Sequence, residues 1–600
     1  MAANDPRGAA PGATDPIAPF FDAFASALAT AVAAAGGSMP PDLLRSFIDD
    51  QGGPEGDFAF PVHRIAAQVK RKPDELAAAL AASIGPIAGL ARVSAKGAYV
   101  NAAADPVALT HATLALALGR GARYGHGEPA GDPACIEHTS ANPTGPFHVG
   151  RVRNAVIGDT LARIVRATGI PLTTQYYVDD MGRQAALITW IWTKPPSEWP
   201  PPVHDAVDGK SVPGEKRDAY RGRAYPPASA YLKEHPEAQA EVAELVKALE
   251  SGAPPPQHRV LAQEILDGML ASLTRLGIAF DEFVWESDLL RDGSVERVLE
   301  RLRRAPHAVR EENGAWAIDV AGYGLPKESS RVIFQRGNGT SLYVTRDVAY
   351  HLAKFARFAS VVDVLGQDHQ LHARTLDALL AEIGETRRPT YLIYQDITVP
   401  EGGRMSTRAG SAVWLDALLD EAVERARAEV VKRREDLADA EIDRIAEAVG
   451  TGSVRYLIVR VAAEKPVVFR WEDALSFEGR SGPFVQYSYA RASSVLRKSG
   501  TPSGPFPFEA ERLTDPEEAA LIRVLARFPR SVLHAARTRH AHVVAGYVHE
   551  LADQFNRFYH AVPVLQSGAE RASRLALVAA VRQTLGNGLD LIGVPRLETM

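Results

Sequence analysis

The sequence predicts an α/β protein: a core on a parallel sheet, a small N-terminal α/β module before it and an all-α C-terminal domain after it. Three observations carry this. Residues 134–185 read as strand, Pro/Gly-rich loop, helix and a second apolar run, PLTTQYYVDD. That order favours a parallel sheet with ligands at the C-terminal ends of its strands. Apolar runs return at VVDVLG (361–366) and YLIYQDITV (391–399). From Trp414 onward the pattern is almost wholly helical, apart from a Pro-rich link near 501–507.

Each part follows from its composition. Residues 1–16 are polar and Pro/Gly/Ala-rich, which predicts a disordered tail. Residues 17–125 hold short Ala-rich helical patterns and a strand candidate, GAYVNA, and form the small module. The core spans 126–414. In its first helix Ile157, Leu161, Ile164 and Val165 recur at i, i+4, i+7 and i+8, one buried stripe. Prolines punctuate 194–257 (KPPSEWPPPV, YPPAS, GAPPPQ) around one helical stretch, so an insertion is expected over about 186–300. A helical connector follows at 415–479, then a bundle-like domain at 480–600.

Of the 600 residues, 46% are hydrophobic and 23% charged, so the chain can bury a large core without disulfides or metals. Its single cysteine, Cys135, excludes an intrachain disulfide and a Cys-based zinc site. The N-terminus lacks the basic start and apolar centre of a secretory signal. No apolar run reaches the roughly 18 residues a membrane helix needs. A cytoplasmic protein without membrane contact is the expectation. The net charge of −6 is uneven: residues 480–600 hold 15 Lys+Arg against 10 Asp+Glu, so the C-terminal domain is where a polyanion would be met.

Four constellations bear chemistry. The loop after the first core strand ends in His148-Val149-Gly150-Arg151, where a helix begins. Helix starts carry unpaired N–H groups and the positive dipole end, so they suit a triphosphate; a surface turn with an incidental His reads these residues equally well. Upstream, Glu137, Ser140 and Asn142 could bind an amino-bearing substrate beside the phosphates. In SLYVTRDVAYH, Tyr343 and Asp347 share a helix face, and a carboxylate beside a phenol grips a guanidinium well. The alternative there is an Asp satisfied by Arg346 or capping a helix. Gly366-Gln367-Asp368-His369 ends a strand, where ligand binds in such a sheet, although a turn-forming Gly-x-Asp fits too. Arg404-Met405-Ser406-Thr407-Arg408, glycine-flanked within EGGRMSTRAGS, suits a mobile clamp on pyrophosphate or a solvated basic loop. There is no GxxxxGK[ST] loop and no G-x-S-x-G elbow after a strand, and His534, His540, His542, His549 and His560 lack metal-ligand spacing. No metal site is expected.

In this order these segments resemble class I aminoacyl-tRNA synthetases, specifically the arginyl-tRNA synthetases. His148–Arg151 stands at the place of the HIGH motif and Arg404–Arg408 at that of KMSKS, in an MSTR form. EHTSANPTGPFHVG through YYVDDMGRQ, MSTRAGSAVWLDALLDEA, GPFVQYSYARASSVLRK and the ending FNRFYHAVPVL to DLIGV carry the resemblance over nearly the whole chain. It implies a Rossmann-like class I catalytic core, an N-terminal module contacting the tRNA elbow and a C-terminal anticodon-binding domain. It implies arginine binding by Glu137, Asn142, Tyr343, Asp347 and His369. ATP would lie on His148, Gly150, Gly366, Asp368, Arg404, Met405 and Ser406, with Mg²⁺ on its phosphates. The catalytic set would be His148, Gly150, Arg151, Arg404, Met405, Ser406 and Arg408. Tyr487, Arg491, Tyr547 and Met600 would meet tRNA. The partners implied are tRNA(Arg), L-arginine and ATP, the working form a monomer, and adenylate formation is expected to need bound tRNA.

Three residues depart from the family pattern. Arg151 stands where HIGH has its second histidine. Thr407 stands where KMSKS has its second lysine, and Gly145 stands three residues before the HIGH histidine, where many arginyl enzymes carry the compensating lysine. Arg404, Arg408 and Arg151 are then the candidates for the lost charge. A synthetase-like paralogue that binds tRNA or amino acid without charging is the alternative these departures support. A nucleotidyl-transferring enzyme of the same superfamily acting on small molecules is a second, opposed by the long helical terminus.

Overall fold

A computed structural model describes residues 14–50, 52–53, 55–207, 214–398, 413–434, 436–501 and 503–600. The first module is a three-stranded antiparallel sheet, with Tyr99–Ala104 between Phe58–Pro61 and Leu90–Lys96, packed with helices such as Ala18–Ala34 and Pro106–Arg120. The second of these is capped by Asp105, whose carboxylate accepts from Ala108 N. Asp15, inside the expected tail, instead accepts a hydrogen bond from Arg530 of the C-terminal domain, because a basic partner is available there.

The core is a five-stranded sheet of β1 (Ala134–Glu137), β2 (Leu172–Val178), β3 (Glu282–Trp285), β4 (Ser360–Gly366) and β5 (Thr390–Tyr394). Their spatial order is β5-β4-β1-β2-β3, with every neighbouring pair parallel. This is a doubly wound arrangement whose order reverses between β1 and β4. Ligands bind at that switch point, outside the carboxyl ends of the strands. Helix α1 (Val149–Ala167) follows β1 and buries Ile157, Leu161 and Ile164 of the predicted stripe, while Val165 is half-buried. Arg153 and Asp159 on its other faces are buried as well, because the C-terminal helices cover it, and Asn154 is buried against the sheet.

The expected insertion is only partly right. Residues between β2 and β3 are helical, including α2 (Arg217–Gly222), but β3 lies within 186–300 and belongs to the core sheet. A four-residue strand at a sheet edge leaves little periodic signal, and only its pairing with β2 defines it. A second small sheet, Ala308–Arg310, Trp316–Asp319 and Arg331–Gln335, precedes α3 (Tyr343–Arg357).

Helices α4 (Leu415–Arg433) and α5 (Asp439–Val459) lead into the terminal bundle, which includes α6 (Gly482–Lys498), α7 (His542–Ala561) and α8 (Arg571–Ile592). Arg455 of α5, 1% exposed, joins the layers. Its guanidinium donates to the carbonyls of Ile592 and Leu276, each at 2.6 Å, and pairs with Asp159 of α1. A buried cation needs such complete pairing, since an unpaired one costs several kcal/mol. The helix that begins at His148 is thereby fixed to the end of the chain.

Candidate active site

Four chain segments meet at the switch point. After β1, Thr139 and Ser140 adopt positive φ of 73° and 40°. Such conformations cost non-glycine residues of order 1–3 kcal/mol and persist only where surroundings impose them. Here Asn154 of α1 imposes them: its Oδ1 accepts from Thr139 N at 2.6 Å and its Nδ2 donates to Val364 O of β4 at 2.8 Å. Ser140 Oγ then donates to Glu137 Oε1 at 2.9 Å and accepts from Tyr177 N at 3.1 Å. The strained turn thus orients Glu137 at the end of β1.

His148 caps α1 in extended geometry, and its Nδ1 accepts from Gly150 N at 2.9 Å. A side chain at Gly150 would place its Cβ 2.9 Å from that nitrogen, so the cap requires glycine. The expectation of unpaired N–H groups at this helix start needs correcting. Val149 N donates to Val413 O at 2.9 Å, Gly150 N to the His148 ring and Arg151 N to His148 O at 2.9 Å. The donors left for an anion are His148 Nε2–H and the exposed Arg151 side chain. Burial, with Arg151 beside it, holds the His148 pKa below its ordinary value, which keeps Nδ1 free to accept.

Val413 and Trp414 immediately follow the segment that carries Arg404, Met405, Ser406, Thr407 and Arg408, which lies outside the described residues. They are pinned to this helix start. Leu415 N donates to Phe147 O at 2.8 Å, closing a second bond beside that of Val149, and the Trp414 and His148 rings stand edge to face at 6.1 Å. Gly145 gains a physical reason as well. A Cβ there would lie 3.3 Å from Gly222 Cα at the end of α2, so this packing does not favour a lysine.

The end of β4 faces the same place. The Tyr394 hydroxyl interacts electrostatically with both Arg151 and Asp368. Burial lowers the His369 pKa, with Arg151 and His372 adding to that effect and Asp368 and Asp347 opposing it. Gly366 is pressed against Asp368: a Cβ there would meet Asp368 Oδ1.

The acidic pocket is built on α3. Tyr343 opens the helix with its ring 60% exposed and 5.3 Å from that of His372. Asp347, one turn on, hydrogen-bonds His372. Arg346, the alternative partner for Asp347, turns away to the buried Glu286 and to Ser341 O. Burial works to raise the Asp347 pKa, but His372, with His351 and Lys354 behind it, brings the carboxyl below its ordinary value. Burial alone would lower His372; the bond to Asp347 raises it above its ordinary value. A charged His372 competes with an incoming cation for Asp347. We expect KM for a guanidinium substrate to fall as pH rises from about 6.5 through the raised His372 pKa. A pH series of KM on the wild type and on His372→Asn checks this; the variant should lose the dependence.

Asn142 Nδ2 donates to Asp179 Oδ2 at 3.0 Å and to Gln184 Oε1 at 3.1 Å, which leaves its carbonyl oxygen for ligand. Three residues absent from the sequence reading complete the pocket: Tyr177, Asp179 and Glu286. The Tyr177 hydroxyl and Glu286 Oε2 are buried without a hydrogen-bond partner among the described residues. Burial, then the Asp179 charge, push the Glu286 carboxyl well above the usual range. Tyr177 interacts electrostatically with Glu286, Asp347, Arg346 and Asp179. The WESD run at the end of β3 was the available signal, hidden by assigning β3 to an insertion.

In the terminal bundle, the Arg491 guanidinium lies 4.8 Å from the Tyr487 ring centroid and 4.9 Å from that of Tyr559. Both rings are 39% exposed. Tyr547 does not join them. It is buried, stacked on Phe528 at 5.1 Å and bonded to Val524 O, because it sits on the apolar stripe Tyr547, Leu551, Phe555, Phe558 of α7. Tyr559, one residue off that stripe, takes its place. Met600 is not in this cluster either. It packs on the α4–α5 pair, and its backbone oxygen accepts from Arg434 at 3.2 Å. Gln486 and Tyr489, on another face of α6 from Tyr487 and Arg491, hold the chain end through Pro595 and Glu598.

Comparison with known proteins agrees with this layout. Residues 114–471 match the family described as tRNA synthetases class I (R), catalytic domain, and residues 485–600 match the DALR anticodon binding domain. The chain is 41% identical over 544 residues to the arginine–tRNA ligase of Methanocella arvoryzae, covering 90% of this chain and 92% of that one. It is 40% identical over 566 residues to that of Methanothermobacter thermautotrophicus, covering 94% and 96%. The structure resembles Thermus thermophilus arginyl-tRNA synthetase with a TM-score of 0.80 at 29% identity, covering 96% of this chain and all (100%) of that one.

Proposed function

This chain belongs to the arginine–tRNA ligase family of class I aminoacyl-tRNA synthetases, and from that premise we propose how its own residues divide the work. The reaction charges tRNA(Arg) with L-arginine. The arginine carboxylate attacks the α-phosphorus of ATP, the bond to the bridging oxygen breaks and pyrophosphate leaves. The terminal 2′-hydroxyl of tRNA then attacks the arginyl carbonyl and AMP departs. No protein nucleophile is needed, so positioning supplies much of the rate, of order 7–11 kcal/mol in good intramolecular models.

The observation that carries the reading is the convergence of the His148 cap, the 366–369 strand end and the acidic face of α3 at one switch point. Arginine lies with its guanidinium on Asp347 beside Tyr343, with Glu286 and Tyr177 offering unpaired oxygens. Its α-amino end meets Glu137 and the Asn142 carbonyl, and His369 faces its carboxylate. The ATP phosphates meet His148 Nε2–H and Arg151, and Arg404, Met405, Ser406 and Arg408, outside the described residues, are proposed to join them. Mg²⁺ would come with ATP, held on its phosphates. Arg491, Tyr487 and Tyr559 form a cationic aromatic surface suited to an unpaired base. A cytoplasmic setting suits the tRNA and ATP substrates; among the described residues no helix is long and apolar enough to cross a membrane.

Nothing in the fold or the relatives favours the non-charging alternative, and the test is direct. ATP–pyrophosphate exchange with arginine should require tRNA, and arginine should become acid-precipitable with it. Absence of both would overturn the reading. Arg404 and Arg408 stand in for the missing lysines. The double variant Arg404→Ala/Arg408→Ala should slow exchange roughly 100-fold or more, as loss of transition-state donors does; an unchanged rate would refute their role.

A further inference from the structure

The face of α3 that bears Asp347 continues inward through His351 and Lys354, at i+4 and i+7. Both reach Asp363 of β4. His351 Nε2 lies 2.8 Å from Asp363 Oδ2, and Lys354 Nζ donates to Asp363 Oδ1 at 2.8 Å. The other ring nitrogen of His351 lies 2.8 Å from the backbone oxygen of Asp347 itself. Lys354 Nζ also donates to Glu137 Oε2 of β1, and lies 4.0 Å from the Tyr350 ring centroid. The side chain of Lys354 is fully buried (0% exposed).

One unbroken network therefore joins Glu137 to Asp347. These are the two acidic groups assigned above to opposite ends of arginine, and the inference rests on that assignment. Neither strand pairing nor helix propensity fixes how far α3 slides along its own axis against β1 and β4. A buried ammonium with two carboxylate partners does. Each step along the helix moves it about 1.5 Å, and the pairing is lost well before that. The cost of burying three charges would be avoided by an apolar contact of the same shape, which is often equally stable. With Arg346 on Glu286 and Tyr350 on Gln175, the network gives what such a contact lacks, a single permitted register, and it alone ties that register to Glu137.

We propose that Lys354 and Asp363 set the length of the amino-acid pocket: they are positioning residues that fix the separation of Glu137 from Asp347 and so decide which basic side chain spans it. Neither touches substrate.

The test compares arginine with homoarginine, one methylene longer, in tRNA-dependent pyrophosphate exchange. In Lys354→Met, KM for arginine should rise about tenfold with KM for ATP unchanged, and the preference for arginine over homoarginine should fall about tenfold, the scale of one-methylene discrimination. A purely structural lysine would lower the melting temperature and leave that preference within twofold of wild type; this result overturns the proposal. If Lys354→Met does not fold, the charge-balanced Lys354→Met/Asp363→Asn carries the same readout and the same two outcomes. Failure of the wild type to use arginine would strike the functional reading; normal wild-type activity with an unmoved preference strikes the ruler alone.

Discussion

Asp347→Ala is expected to lower kcat/KM for arginine by roughly 10²–10³-fold, or about 3–4 kcal/mol, the cost of removing one member of a close charge pair. The value is set toward the lower part of the usual range because the Asp347 side chain is 23% exposed and so already shares some solvent. The loss should fall mainly on arginine KM. In the proposed arrangement ATP lies on other segments, the His148 cap and the strand end at 366–369. Asp347→Asn should recover little, since an amide cannot offer two acceptor oxygens to the guanidinium fork. Steady-state exchange kinetics with arginine varied at saturating ATP and tRNA measure the effect. An unchanged kcat/KM would move the pocket elsewhere.

His148→Ala should reduce kcat by about 10²–10³-fold, the usual loss when one donor to developing phosphate charge is removed. The structure adds a second contribution. With Val149, Gly150 and Arg151 N–H groups already bonded, the donors that remain at the helix start are His148 Nε2–H and the Arg151 side chain. Alanine also removes the cap, worth about 1 kcal/mol of stability. The two effects separate experimentally: His148→Asn can still accept from Gly150 N and should restore the melting temperature, but not the rate. Equal recovery of both by asparagine would reduce His148 to a cap.

Much of this site was legible in the sequence, for a physical reason. Strand, loop and helix around residues 134–167 are local, so their periodicity and turn residues show without the fold. Tyr343 and Asp347 share a helix face that the i, i+4 spacing dictates. What escaped depends on distant contacts. The Val149 N–H at the helix start is filled because Val413 comes back to it from far along the chain. Glu286 becomes a pocket residue only when β3 pairs with β2. Lys354 reads as an ordinary helix-end cation until Glu137 and Asp363 are brought beneath it. The Tyr547 error is different: the stripe Tyr547, Leu551, Phe555, Phe558 was present in the sequence and places that ring inward. The family resemblance implies a tRNA contact at Tyr547, whereas the periodicity of α7 turns that ring into the bundle.

The central claim is that one arginine spans from Glu137 to Asp347 while ATP lies on the His148 cap at the same switch point. A crystal structure with arginine and a non-hydrolysable ATP analogue tests it most directly. The account predicts the guanidinium within hydrogen-bond distance of Asp347, the α-amino group at Glu137 or Asn142, and a phosphate oxygen on His148 Nε2. A guanidinium bound away from α3, or a nucleotide clear of residues 148–151, would contradict it.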